Sequence, residues 1–525
     1  MIGRGTWLDS VAAEIIKREK SLTRSTSLIR VESGLGASGI PHVGSLGDAI
    51  RSYGIKLSLE DIGYKSELIA YSDDYDGLRN VPTGFPDWLN EFIGSPVSLI
   101  RDPFECHKSY GEHMSSILLD ALDKLSVSYR FQSGSEAYRG GLLSDQVVKI
   151  LENSSKIGDY IASQLGQTKF EKVLPYYPLC EKCQRLYVAE AYNYDTKTFK
   201  VKYRCSGAEI QRKKIEGCGH EGETDVRKGL GKLSWKSEMA ARWAAFDIRF
   251  EAFGKDIADS VIINDWVSDE VLKHPHPHHA KYEMFLDKSG KKISKSQGNV
   301  FTPQTWLRYG TPQSLILLMF KRISGTRSLA VEDIPTYMDE YDYIEDIYFG
   351  AKKVGNPSEL RKMKGLYEYI NSLKTPNTKS PHIPYRLLTQ LASMAPTDSQ
   401  QDWIVKKLIS YRQIKDGNDK LTAKIELATN WSKDFPTTAK AKVNLSDKER
   451  KVIQKIAQVL RTQSDPAVIQ SEIFEAAKEN QAKPSDIFPI IYQILLGSNR
   501  GPRLGPYSID IGREKVAGML EEALK

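Results

Sequence analysis

Ser27-Leu28-Ile29-Arg30-Val31-Glu32-Ser33-Gly34-Leu35-Gly36-Ala37-Ser38-Gly39-Ile40-Pro41-His42-Val43-Gly44-Ser45 is the stretch on which the fold turns. Its first six residues form a short apolar run that ends at glycines, the pattern of a buried strand. Ser33 to Gly39 reads as a loop, and Leu46, Ile50 and Leu57 continue at helical spacing. A second apolar strand runs from Ser66 to Tyr71 and ends in Ser72-Asp73-Asp74-Tyr75-Asp76-Gly77. Strand, glycine loop, helix and strand open a doubly wound parallel sheet, an α/β fold of Rossmann-like type. Ligands of such sheets bind beyond the carboxyl ends of the strands. Upstream, Trp7, Leu8, Val11, Ile15 and Ile16 have the spacing of an N-terminal helix over 7–20.

Further along, from about 104 to 230, the alternation gives way to helices, cysteines and a polar, Tyr-rich stretch, which predicts an insertion. Strand signals return at Val261-Ile262-Ile263, ahead of the lysine-rich run Lys291-Lys292-Ile293-Ser294-Lys295-Ser296-Gln297-Gly298-Asn299. Beyond 345 the pattern is helical. Segments 406–424 and 447–461 interleave basic residues with an apolar stripe, and Ser446-x-x-Glu449 predicts a capping box. The expected organisation is 1–103 as the first half of the α/β domain, 104–230 as the insertion and 231–300 as the second half. A connector over 301–345 and an all-α domain over 346–525 complete it.

The 525 residues leave room for roughly three to four domains at about 150 residues each. A net charge of +7, from 74 basic and 67 acidic residues, excludes a histone-like coat but allows a local basic face for RNA phosphates. No run approaches the roughly 18 apolar residues of a membrane span; the densest, Ile487 to Leu496, is too short. Asp9 and Glu14 stand where a signal peptide would be apolar, so a cytoplasmic location is expected.

Five cysteines cannot form a disulfide framework in so long a chain, and their clustering suggests metal in a reducing compartment. Cys180-x-x-Cys183 with Cys205 and Cys218 offers four thiolates, the set of a closed structural zinc site. His220 is an alternative to Cys218, and unligated thiols are the plainer reading. Asp102, Cys106, His107 and His113 form a feasible second site, with Asp102 and Cys106 one helical turn apart; core packing of Cys106 and His113 is the alternative. In His274-Pro275-His276-Pro277-His278-His279 the alternating proline excludes a regular element and predicts a mobile loop.

His42 precedes a helix start, where free N–H groups and the dipole favour anions; the plainer reading is a helix cap. Gly44 leaves room for a ligand to lie close. Lys292 and Lys295 put two ammonium groups on one segment, suited to closing over an anion or to a solvated turn. Asp73, Asp74 and Asp76 concentrate carboxylates at a strand end, with Glu32 at the end of the preceding strand. That suits a cationic substrate, a magnesium ion or a helix cap.

Residues 39–45 and 291–299, in this order, resemble the two ATP-handling signatures of class I aminoacyl-tRNA synthetases, His-Ile-Gly-His and Lys-Met-Ser-Lys-Ser in shorthand. Glu32 to His42 and Ser72 to Arg79 are similar to segments of the class I lysyl-tRNA synthetases. So are Ala241-Arg242-Trp243-Ala244, Phe253-Gly254-Lys255-Asp256, Tyr282-Glu283 and Gly501-Pro502-Arg503-Leu504-Gly505-Pro506. The resemblance spans nearly the whole chain. Ser45 replaces an Asn-type residue, and Ile257 stands where the family has histidine.

The resemblance implies a lysine–tRNA ligase that uses ATP, with Mg²⁺ accompanying it, and that acts on lysine and tRNA(Lys). It implies His42, Gly44, Ser45, Lys292, Ser294 and Lys295 as catalytic residues, and Ser38, Gly39, His42, Gly44 and Lys295 as the ATP contacts. Glu32, Gly34, Asp73, Asp74, Trp235 and Trp243 are the expected lysine contacts. One or two zinc ions, an insertion that guides the tRNA acceptor end and a helical anticodon-binding domain follow, with Ser498 to Arg503 as a candidate RNA contact. A monomer is expected. Charge alone leaves arginine open as the amino acid, and similarity of the catalytic half leaves glutamate open. A non-catalytic tRNA-binding relative also stays open, as does a small-molecule nucleotidylyltransferase, although the latter would have no use for the C-terminal helices.

Overall fold

The computed structural model describes residues 3–291, 301–417, 419–435 and 443–525. The chain divides into two compact units. The first is Met1–Gln304 with Ile316–Val331 and Val354–Thr375; the second is Thr305–Leu315, Glu332–Lys353 and Pro376–Lys525.

The first unit is built on five parallel strands, β1 (Ile29–Leu35), β2 (Ser66–Ser72), β3 (Arg130–Ser133), β4 (Ile248–Gly254) and β5 (His278–Tyr282). Their order is β5-β4-β1-β2-β3. The chain starts at the centre, runs outward through β2 and β3, and returns to the other side of β1 at β4. The order therefore reverses between β1 and β4, and the crevice at their carboxyl ends is where this topology places a ligand. The expected N-terminal helix is α1 (Trp7–Ser21), and α2 (Val43–Asp61) packs against β1, β2 and β4. Three more helices matter below: α3 (Tyr110–Lys124), α4 (Trp235–Phe246) and α5 (Ala258–Trp266).

Four expectations need correction. Val261-Ile262-Ile263 is not a strand but lies inside α5. Val261, Asn264, Val267 and Ser268 are buried at helical spacing while Ile262 is exposed, so a short β-branched run misled. The strand is β4, buried at all seven positions although it carries Arg249 and Glu251. Those charges are paired, Arg249 with Glu19 and Asp247, and Glu251 with Arg242. Second, the sheet extends into the 104–230 segment, because β3 pairs with β2; the interruption begins after Ser133. Third, His278 and His279 open β5 and pair with Phe250 and Glu251, so only 274–277 of the histidine-proline stretch lies outside regular structure. Both prolines fall before the strand, where no ladder N–H is lost. Fourth, 406–424 is not one helix. Helices Gln400–Ser410 and Asp419–Asp434 are separated by a turn in which Arg412 has φ 57°.

The insertion carries a three-stranded antiparallel sheet of Ala189–Asp195, Lys200–Cys205 and Glu221–Asp225, beside the hairpin Gly207–Ile210 and Lys213–Glu216. The described residues of the second unit form only helices and their connections. One of these helices, Asp447–Thr462, begins with the predicted capping box: the Ser446 side chain accepts from the Glu449 N–H while Glu449 accepts from Ser446.

Candidate active site

β1 runs three residues further than the glycine pattern suggests, to Leu35, so Gly34 is part of the strand and Gly36 stands just beyond its end. The chain then crosses to α2, whose N-cap is His42. The His42 Nδ1 accepts from the Ser45 N–H at 3.1 Å, which places the ring proton of a neutral imidazole on Nε2. His42 is thus both helix cap and potential donor. A Cβ on Gly44 would come within 2.8 Å of the His42 ring, so the glycine is what allows the ring its position. His42, Gly44 and Ser45 line a cavity of about 230 Å³ with Gly34, Gly36, Asp73 and Trp235. Ser38 and Gly39 stand in the crossover, outside the cavity wall; the Ser38 carbonyl accepts from Tyr110 Oη. Lys292, Ser294 and Lys295 lie outside the described residues.

Below that mouth, Arg242 of α4 gathers three carboxylates. Its Nη2 lies 2.7 Å from Glu32 Oε1 and 3.5 Å from Glu251 Oε1, and its Nη1 donates to Asp73 Oδ1 at 2.9 Å. The guanidinium is fully buried and lies over the Tyr71 ring at 4.4 Å. Burial pushes the Glu32 carboxyl up to about 8 and that of Asp73 up to about 7, against the downward pull of Arg242. Once ionised, three carboxylates on one guanidinium leave the pocket with a surplus of negative charge. Glu32 sits behind the guanidinium and does not line the cavity, whereas Asp73, Arg242 and Glu251 do.

The three neighbouring aspartates have separate fates. Asp73 faces Arg242. Asp74 turns away to accept from Ser133 Oγ at 2.6 Å and from the Ser135 N–H at 2.8 Å, capping the short helix Gly134–Arg139. Asp76 pairs with the buried Lys232, which also meets Glu238 at 2.8 Å. Burial opposes the charge of Lys232, but these carboxylates outweigh it and hold its pKa well above the ordinary value. Of the two tryptophans, Trp235 forms part of the cavity wall. Trp243 is fully buried in the core, where its indole N–H donates to Glu251. Asp74 and Trp243 are therefore removed from the cavity by local hydrogen bonds.

Residues 5–372 match the family described as tRNA synthetases class I (K). A lysine–tRNA ligase of Cenarchaeum symbiosum (strain A) is 51% identical over 523 residues, covering 100% of this chain and 99% of its own. That of Rickettsia bellii (strain RML369-C) is 28% identical over 99% of this chain and 98% of its own. That of Methanosphaera stadtmanae is 26% identical over 97% and 98%. The chain belongs to the class I lysyl-tRNA synthetases. Its activity is accordingly the ATP-dependent ligation that forms aminoacyl-tRNA. Among the described residues no helix is long and apolar enough to cross a membrane.

Several cavity residues of this synthetase escaped the sequence reading. Asp48, one turn into α2, faces the same space, and burial holds its carboxyl well above the ordinary range. Glu251, Met239, Asp256, Tyr282 and Met284 also contribute. The missed signal was charge parity: Arg249 and Glu251 break an apolar run, and a buried charge requires a partner. Ile257, the departure from the family histidine, lines the cavity too, so an apolar face stands at that position.

The synthetase also brings both metal-type clusters together. The ligand atoms of Cys180, Cys183, Cys205 and Cys218 all lie within 4.8 Å of one another, as do those of Asp102, Cys106, His107 and His113. Sulfur pairs Cys180–Cys218 and Cys183–Cys205 are each 3.6 Å apart. A tetrahedral ion with Zn–S bonds of about 2.3 Å needs its sulfurs ~3.8 Å apart, so the set fits zinc. Cys218, not His220, belongs to it. A Cβ on Gly217 would meet the Cys205 carbonyl oxygen at 2.2 Å, so only glycine lets Cys218 come this close. The second cluster sits on a loop rather than the expected helix: α3 begins only at Tyr110, and just His113 is helical. Asp102 organises that loop, accepting the N–H groups of Phe104, Cys106 and His107 at 3.1, 3.0 and 2.9 Å.

Proposed function

We propose that this synthetase binds lysine in the crevice between β1 and β4, activates it with ATP as lysyl-adenylate, and transfers it to the 3′ end of tRNA(Lys). In the first step an oxygen of the lysine carboxylate bonds to the α-phosphorus of ATP, and the bond to pyrophosphate breaks. The nucleophile is already an anion, so the site must supply positioning and donors rather than a base. The His42 Nε2–H and the start of α2 meet the phosphates, Gly44 and Ser45 let them approach, and Lys292 and Lys295 close over the triphosphate. Ser38 and Gly39 hold the crossover beneath the nucleotide, and Ser294 spaces the two lysines. Mg²⁺ accompanies ATP and neutralises part of its charge. In the second step the 2′-hydroxyl of the terminal ribose attacks the carbonyl carbon and AMP leaves.

Lysine contacts Asp73, Gly34, Glu251 and the Trp235 face; Glu32 acts through Arg242, while Asp74 and Trp243 support the walls. Cys180, Cys183, Cys205 and Cys218 hold a structural zinc ion that cross-links the insertion. Asp102, Cys106, His107 and His113 hold a second. The insertion, after Ser133, guides the acceptor end. The helices from 376 onward bind the anticodon, with the exposed Arg500 and Arg503 among the contacts. The synthetase works as a cytoplasmic monomer.

One observation carries this reading: a helix-start imidazole and an acid-rich floor open into the same cavity at the sheet's reversal point. Lysine-dependent exchange of pyrophosphate into ATP tests it. Wild type should respond to lysine, and Lys295→Ala should lower the rate by roughly 10²-fold or more, the order for removing one transition-state donor. A response to arginine or glutamate alone would refute the assignment.

A further inference from the structure

The floor of the cavity holds a guanidinium that belongs to the protein. A guanidinium presents its donors in a rigid planar fork and prefers carboxylates that it can grip with two prongs; an ammonium is a compact point charge that one oxygen satisfies. Arg242 already spreads its fork over Glu32, Asp73 and Glu251. The Tyr71 ring lies 4.4 Å from its centre and that of Trp235 5.7 Å, and no part of the side chain is exposed, so it is fixed in place. The Trp243 indole donates to the other oxygen of Glu251. The Glu32 carboxylate has no polar partner besides Arg242 among the described residues. The oxygen left toward the cavity is Asp73 Oδ2, 3.7 Å from where a Cβ on Gly34 would stand. It takes no hydrogen bond from the described residues.

We propose that Arg242 sets the choice between lysine and arginine: as a built-in guanidinium it occupies one oxygen of each of three carboxylates, so that no pair is left for a second two-pronged donor and one oxygen remains for a substrate ammonium. The inference rests on the reading of this cavity as the lysine site. A substrate ammonium on Asp73 Oδ2 offsets charge that one guanidinium leaves uncompensated among three carboxylates. A substrate guanidinium would meet one oxygen with a two-pronged donor, beside the like charge of Arg242. Selectivity then comes from an occupied surface and a repulsive neighbour as much as from an attractive contact. Arg242 is a positioning residue: it acts on the substrate through Asp73 and Glu251.

The test uses pyrophosphate exchange by the full-length enzyme, with cadaverine and agmatine as unreactive stand-ins for the lysine and arginine side chains. In wild type, cadaverine should inhibit at concentrations about tenfold or more below agmatine. In Arg242→Ala, the lysine KM should rise about tenfold or more with a smaller fall in kcat. Agmatine's disadvantage should shrink to about threefold or less, and added guanidinium chloride should lower the lysine KM again. Arg242→Lys keeps a buried cation if the alanine variant does not fold, and should show the same loss of discrimination. An unchanged ATP KM marks a folded cleft. Equal inhibition by the two amines in wild type overturns the proposal, as does a folded variant that keeps both its lysine KM and its discrimination. Failure of lysine to support exchange in wild type instead refutes the lysine-site reading itself.

Discussion

In the crevice, Glu32, Asp73 and Glu251 converge on a guanidinium contributed by α4; in the insertion, Cys180, Cys183, Cys205 and Cys218 converge on one another. Both are clusters of groups that become anions, and both are largely buried. They differ in where the balancing cation comes from. The crevice carries one of its own and keeps a surplus of negative charge, so it holds together empty and still attracts a cation. The thiol cluster includes no cation among its described members, and an ion from solution would turn four mutually repelling thiolates into a cross-link. On the proposed reading, one arginine distinguishes a site for a transient substrate from a site for a resident ion.

The contrast breaks most visibly at the thiols. Structural zinc contributes an apparent ~10–16 kcal/mol to folding in small zinc domains. Cys183→Ser should therefore remove the ion and open the insertion, read by metal analysis and by new protease cleavage within 180–225. A variant that keeps its zinc, or stays resistant without it, would place the thiol cluster in the same class as the self-balanced crevice.

Next in size is the pair of adjacent aspartates. Asp73→Asn strips one partner from a buried charged group, a loss of about 2–5 kcal/mol, and should raise the lysine KM roughly 30-fold or more with the ATP KM unmoved. Asp74→Asn weakens a helix cap and should cost about 1 kcal/mol of stability with little change in either KM. Equal effects on lysine binding would mean that the cage extends to Asp74.

This pair shows why some of the site was legible and some was not. The β1–α2–β2 unit reads directly, because glycines end an apolar run and a helical period follows. The carboxylate triplet does not, since its members are told apart by partners that the chain brings from Arg242, Ser133 with Ser135, and Lys232. β4 was hidden for the same reason: Arg249 and Glu251 look like surface residues until Glu19 and Arg242 arrive. Local pattern gives the elements that are internally consistent; a buried charge belongs to a pair, and half of each pair is remote. The cysteine spacing identified the thiol set with His220 as an alternative to Cys218; the structure brings in Cys218, and Gly217 admits it through close backbone contact.

A smaller, graded effect separates the two clusters by pH. Burial raises Asp73 to about 7 and Glu32 to about 8. Below those values the carboxyls become neutral, so the crevice loses the charge that attracts an ammonium. The lysine KM should rise as pH falls from about 8 to about 6 and level off above. Because a bound ammonium favours the ionised carboxylates, lysine uptake near pH 7 should release protons, measurable as buffer-dependent heat. A KM that falls on acidification would show that the cage is not the cation site.

The smallest effect belongs to the cluster of Asp102, Cys106, His107 and His113, which resembles the thiol set in composition and the crevice in construction. Three backbone N–H groups and the Cys106 thiol hold the Asp102 carboxyl at about 2, outweighing the opposing effect of burial. Its loop is thus secured by Asp102 before any ion arrives, whereas the thiols, carried on a strand and turns with backbone bonds of their own, have no carboxylate among them to play that part. Zinc bound here would add to a loop already formed and should leave first under a mild chelator. Cys106→Ser should lose about one zinc per chain with a stability change near ±0.5 kcal/mol, the range of surface substitutions. If instead it destabilises the protein as severely as Cys183→Ser, the hydrogen bonds around Asp102 are a consequence of metal binding rather than a substitute for it, and what divides the two clusters is exposure alone.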